Sequence, residues 1–149
     1  MLNSIKYYYN PPVIVKKLFS NFQWDSVTDK ILITFDDGPN PNTTKNILNQ
    51  LDRFSFKSIF FCVGENLERY PEIAKDILKS GHEIGNHTFS HQRISKMKQG
   101  ELRHSIERVQ NFSQEKLDYT IRYFRPPHGR FNFRINNILA QLSLINIMW

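Results

Sequence analysis

Short apolar runs alternate with stretches of helical spacing along most of this chain. Residues 31–35, Ile-Leu-Ile-Thr-Phe, are too short for a helix and read as a buried strand. Thr43 or Thr44 then caps a helix running to about Arg53, with Ile47, Leu48 and Leu51 inward. Residues 58–63, Ser-Ile-Phe-Phe-Cys-Val, form a second strand. Asn66 to Lys79 is helical, broken near Pro71 and stopped by Gly81. Residues 82–86 make a short third strand. A charged helix from Gly100 to about Lys116 carries Leu102, Ile106 and Val109 on one face. Residues 121–124 form a fourth strand, Phe133 to Gln141 a helix, and residues 144–149 a fifth strand. Strands that alternate with helices pair in parallel through helical crossovers, which predicts an α/β fold. Such folds place their chemistry just past the C-terminal ends of the strands. Three polar clusters fall at those points, after the first, third and fourth strands.

The composition narrows the field without naming a function. The chain has 149 residues, 40% hydrophobic and 23% charged, an ordinary globular balance for one domain. Its apolar runs stop well short of the ~18 residues that a membrane-spanning helix needs. A single cysteine, Cys62, excludes an internal disulfide and a cysteine-rich zinc site. The net charge is +6, and Lys6, Lys16 and Lys17 stand in the first 24 residues with no acid among them. A basic balance suits anionic surroundings, but no basic stripe with interleaved aromatics or known motif points to nucleic acid. Pro11, Pro12, Lys16 and Lys17 break any signal-peptide core, which leaves the location open between cytoplasm and cell envelope. Residues 1–27 are expected to form a basic amphipathic segment on or before a domain spanning 28–149. Ile14, Val15, Leu18, Phe19 and Phe22 fall on one helical face, expected to pack on that domain, with a membrane surface as the alternative.

The first polar cluster is Thr34-Phe-Asp-Asp-Gly-Pro39. Adjacent carboxylates at a strand end repel each other, and a cation would relieve them. In an extended segment Asp36 and Asp37 point to opposite sides and so meet different partners. The second cluster is His87-Thr-Phe-Ser-His91. Histidines four apart lie on one face of a helical turn, where they can grip one ion such as zinc. His82, inside a strand, reads as core or as support for the site, and His104, in a charged helix, as exposed. The third cluster is Arg125-Pro-Pro-His-Gly129: a stiff turn, a glycine for close approach, and an arginine suited to holding a carboxylate. Each cluster alone fits a plain loop. Together, one carboxylate and two histidines form a metal site with open positions, and a second carboxylate is left as a base. That assembly suits metal-assisted hydrolysis of a carbonyl compound.

These three motifs, in this order and at similar spacing, resemble those of the NodB-like polysaccharide deacetylases, carbohydrate esterase family four. The resemblance covers roughly residues 28–149. It implies a distorted, incomplete TIM-like (β/α) barrel that here lacks its C-terminal strands. It implies that Asp37, His87 and His91 hold a divalent metal, usually zinc, and that Asp36 is the general base toward the attacking water. Arg125 would hold Asp36, and the backbone N–H of His128 would help to stabilise the oxyanion. Relatives commonly carry an aromatic residue where His128 stands. The implied substrate is an N-acetylated polysaccharide such as peptidoglycan or a chitin-like glycan, with acetate released; some relatives act on O-acetyl esters.

The same resemblance implies a general acid, a histidine in a later Leu-x-His segment, that these 149 residues do not contain. TIM-type barrels also run to ~250 residues, with ~200 near the lower limit. The expectation is a C-terminally shortened deacetylase domain whose fifth strand is left as a bare apolar edge. Weak activity, metal or glycan binding without turnover, and a misfolded remnant are its three possible states. Downstream DNA with no such segment in any frame would contradict the shortened-domain reading.

Overall fold

The computed structural model describes residues 11–20, 22–25 and 30–148. Among these residues six helices, α1 (Val13–Leu18), α2 (Thr44–Arg53), α3 (Gly64–Arg69), α4 (Pro71–Lys79), α5 (Gln99–Leu117) and α6 (Phe133–Gln141), accompany six strands. The strands are β1 (Phe22–Gln23), β2 (Ile33–Gly38), β3 (Ser58–Cys62), β4 (Glu83–Asn86), β5 (Tyr123–Phe124) and β6 (Ile145–Ile147). They form one sheet in the order β1-β6-β5-β4-β3-β2, and every neighbouring pair is parallel. This is an α/β fold of the incomplete-barrel kind, with β1 and β2 at the two ends of the sheet.

The pleat of β3 divides the interior. Successive side chains on a strand point to opposite faces. Phe60 and Cys62 join the large core with Leu51, Ile84, Ile106 and Phe124, whereas Ile59 and Phe61 join a small cluster with Ile147 and Tyr123. All five residues of β3 are buried, as a strand covered on both faces must be. Asn132 caps α6 by accepting from the Ile135 amide at 3.1 Å, and the Glu101 carboxylate accepts from the Lys98 amide at the start of α5.

Several sequence expectations change. The bare edge does not form at the fifth predicted strand, because Phe22 and Gln23 of β1 pair with Asn146 and Ile147 of β6. Phe22 therefore belongs to a strand rather than to the helical face assigned to it. Phe19 and Phe22 are buried, but Ile14 and Leu18 on that face are exposed. The first predicted strand shifts forward: Ile31 and Leu32 lie outside β2, 90% and 52% exposed, and the strand runs on through Asp36 and Asp37. Thr43 makes no capping bond, and the Thr44 hydroxyl accepts from the Asn40 amide instead. His82 precedes its strand but is buried, its ring edge-on to Phe60. β6 is shorter than the predicted residues 144–149; Trp149 and residues 1–10 lie outside the described residues.

Candidate metal centre

The C-terminal ends of β2, β4 and β5 open onto one site. β2 carries Asp36 and Asp37 at its end, where the register with β3 shifts between Asp36 and Gly38. Asp37 takes a left-handed backbone, φ 65°, so this bulge rather than simple alternation separates the two carboxylates. Asn66 of α3 donates its side-chain amide to the Asp37 carbonyl at 2.9 Å, tying the bulge to the next helix. The turned carboxylate of Asp37 reaches the histidines. Its Oδ1 lies 3.1 Å from His91 Nε2 and 3.5 Å from His87 Nε2.

His87 follows β4 directly, and residues 87–91 are not the helical turn that the spacing suggested. They form a loop with left-handed backbone at Thr88 (φ 64°) and His91 (φ 53°). The two imidazoles nevertheless converge, with ring centroids 4.9 Å apart. His87 Nδ1 donates to the carbonyl of Arg125 at 2.7 Å. A carbonyl only accepts, so Nδ1 holds the proton and Nε2 presents its lone pair toward Asp37. Burial is the main cause that lowers the His87 pKa below its usual value, and the neighbouring Asp36 charge opposes it. Burial outweighs that charge and favours the neutral imidazole at neutral pH, the form that ligates metals.

Arg125, directly after β5, is buried. Nη1 donates to Asp36 Oδ1 and to the Thr34 hydroxyl, both at 2.8 Å, and Nε to the Ile147 carbonyl at 3.0 Å. Its guanidinium carbon sits 4.1 Å from the centre of the Phe61 ring. Burial lowers its pKa and Asp36 raises it, but an arginine stays charged throughout. Thr34 stands in the first cluster but was given no role there, and Asn66 and the Ile147 carbonyl were not singled out, because the sequence carries no local signal for contacts spanning the length of the domain. His128 lies in a 3₁₀ turn after β5 with φ 59°, and its ring meets that of His91 edge-on at 4.7 Å.

Asp37, His87 and His91 each offer a ligand atom, and those atoms all lie within 4.8 Å of one another. Ligands about 2.0–2.1 Å from a tetrahedral zinc stand about 3.3 Å apart, between the two Asp37 separations seen here. The donor set, one carboxylate and two imidazoles with one tautomer fixed, fits a borderline divalent metal. Cys62 does not compete: burial raises its thiol pKa far above neutral.

Fold and site together define a class, and the comparisons agree. The chain belongs to the polysaccharide deacetylase family, whose model matches residues 25–147. It is 39% identical over 127 residues to a peptidoglycan-N-acetylglucosamine deacetylase of Bacillus cereus, covering 80% of this chain and 46% of that protein. The solved structure of the peptidoglycan deacetylase PdaC from Bacillus subtilis matches with a TM-score of 0.73 and 33% identity, over 79% of this chain and 57% of that one. A family 4 carbohydrate esterase from Streptomyces lividans, solved in complex with acetate, matches with a TM-score of 0.76 and 26% identity, over 80% of this chain and 62% of that one. The chain thus spans about half the length of the first relative and somewhat more of the two solved chains. No helix among the described residues is long and apolar enough to cross a membrane.

Proposed function

We propose that this chain carries the metal-binding and base side of a site that hydrolyses N-acetyl groups on amino-sugar polymers, peptidoglycan or chitin-like, releasing acetate. The observation that carries this reading is the convergence of Asp37, His87 and His91 beside the Asp36–Arg125 pair. The names of the B. cereus and B. subtilis relatives support the substrate class, and the acetate in the S. lividans structure supports the product. Asp37, His87 and His91 would hold a divalent metal, of which zinc suits the donors best. Such an ion, when bound, supplies polarisation of the acetyl carbonyl and acidifies an adjacent water.

The chain's own residues do the rest. Asp36 takes a proton from the attacking water as its oxygen bonds to the acyl carbon. Arg125 fixes the direction from which Asp36 works, since the same guanidinium is held by Thr34, Ile147 and the Phe61 face. The His128 N–H stabilises the oxyanion. The C–N bond then breaks and the leaving nitrogen takes a proton, giving a free amine and acetate; among the described residues none is assigned as that acid.

The test is acetate release from N-acetylated chitooligosaccharide or peptidoglycan, with and without a chelator. Release that the chelator abolishes, and that falls about 100- to 10,000-fold in Asp36→Asn with zinc affinity retained, is the expected result. Zinc and glycan binding by a cooperatively folded sample without acetate release would instead support a non-catalytic binding fragment. No zinc binding would contradict both.

A further inference from the structure

We infer that Ser105 of α5, which touches none of the proposed ligands, is a positioning residue for the histidine pair; this inference rests on the metal-centre reading above. The loop bearing His87 and His91 holds two non-glycine residues, Thr88 and His91, in left-handed backbone. A non-glycine residue in that conformation is strained and persists only where its surroundings over-determine it. Here the backbone of residues 87–89 is held by β3, β4, α3 and α5. The amides of His87 and Thr88 donate to the Cys62 carbonyl and Asn86 Oδ1, at 3.0 and 2.9 Å. The carbonyls of Thr88 and Phe89 accept from the amides of Gly64 and Glu65, at 3.0 and 2.9 Å.

The Phe89 amide, midway between the histidines, donates to the buried Ser105 hydroxyl at 2.9 Å. Phe89 itself is wedged. The Arg108 guanidinium of α5 lies 3.5 Å from its ring centre and is held there by a forked pair of bonds to Glu68 of α3. On the α3 side a Cβ at Gly64 would stand 2.5 Å from Phe89 Cδ2, so only glycine allows the approach. With its ring gripped between α3 and α5 and its carbonyl held by Glu65, Phe89 has its amide set by Ser105, and His87 and His91 are carried on either side of it. Loss of the Ser105 hydroxyl frees the Phe89 amide to seek another acceptor, and the distance between the two imidazoles changes with it.

Ser113 is a matched control. It is also buried on α5, and its hydroxyl donates to the Tyr119 carbonyl at 2.7 Å, in a loop that carries no site residue. The measurement is zinc affinity of the 149-residue chain by chelator competition, together with the visible absorption of its cobalt-substituted form. Ser105→Ala is expected to weaken zinc binding about 10-fold and to change the cobalt band intensities, whereas Ser113→Ala lowers stability and changes neither. Arg108→Ala, on the exposed side of the same clamp, empties no core and covers the case in which Ser105→Ala fails to fold; a few-fold weaker zinc affinity is expected. Wild-type affinity and an unchanged cobalt spectrum in Ser105→Ala, or in Arg108→Ala where Ser105→Ala does not fold, would overturn the inference while leaving the metal centre standing. Absence of zinc binding by the unsubstituted chain would overturn the metal centre and this inference together.

Discussion

The two sides of the candidate site are built differently. His87 directly follows β4, a strand paired on both sides, and its side chain is 2% exposed. Asp37 stands on β2, which among the described residues pairs only with β3, and its side chain is 68% exposed. The flank of β2 also exposes Ile31, Leu32, Phe54 and Phe56. A histidine ligand needs one tautomer and one orientation, which burial and a fixed carbonyl partner provide. A carboxylate that serves metal or water needs access to solvent. The less covered side is tied to the covered one by a few long-range bonds, chiefly those of Arg125 and Asn66.

The largest effect is expected in the buried half. Phe61→Ala removes a fully buried ring and the surface on which Arg125 rests, and should lower unfolding stability by about 3–5 kcal/mol in urea titration. Arg125→Ala comes next, at about 3 kcal/mol, because it strands the Ile147 carbonyl and the Thr34 hydroxyl and leaves Asp36 without its cation. Arg125→Lys should recover only part of this loss, since an ammonium cannot reach three acceptors in one plane. Equal stabilities for Arg125→Ala and wild type would remove the tie between the halves.

A smaller effect follows from pH. Burial, with Lys57 second, lowers the His82 pKa below 6.5 in the folded chain, and Asp52 opposes it weakly. His82 Nδ1 is buried without a hydrogen-bond partner among the described residues. The unfolded chain therefore binds more protons as pH falls through 6.5, and stability falls with it until the lowered folded value is passed. His87 acts in the same direction. His82→Phe should flatten the dependence of urea midpoint on pH between 7.5 and 5.5, and an unchanged slope would exclude His82 as a source. The smallest effect belongs to the exposed flank. Phe54→Ser, at a residue 62% exposed, should change stability by no more than about 0.5 kcal/mol.

The sequence showed best what local patterning controls. β3 and α6 lie where their apolar runs placed them, because strands covered on both faces and amphipathic helices carry their burial in their own residues. β2 was misplaced because its end is polar for the sake of the site, whereas Ile31 and Leu32 look like strand and are not. β1 was invisible: two residues have no period, and their pairing with β6 spans nearly the whole chain. The residues of the candidate site were readable as types at strand ends. Their geometry was not, because it depends on left-handed backbone at Asp37, Thr88 and His91, in segments tied to α3 and α5 by bonds between residues far apart in sequence.

X-ray absorption at the zinc edge of the zinc-loaded chain tests the central claim most directly. The account predicts one zinc with oxygen and nitrogen neighbours, two imidazole signatures, and one of them lost in His91→Ala. A sulfur neighbour, which would bring in Cys62, or a spectrum without imidazole that is indifferent to His87 and His91, would contradict it.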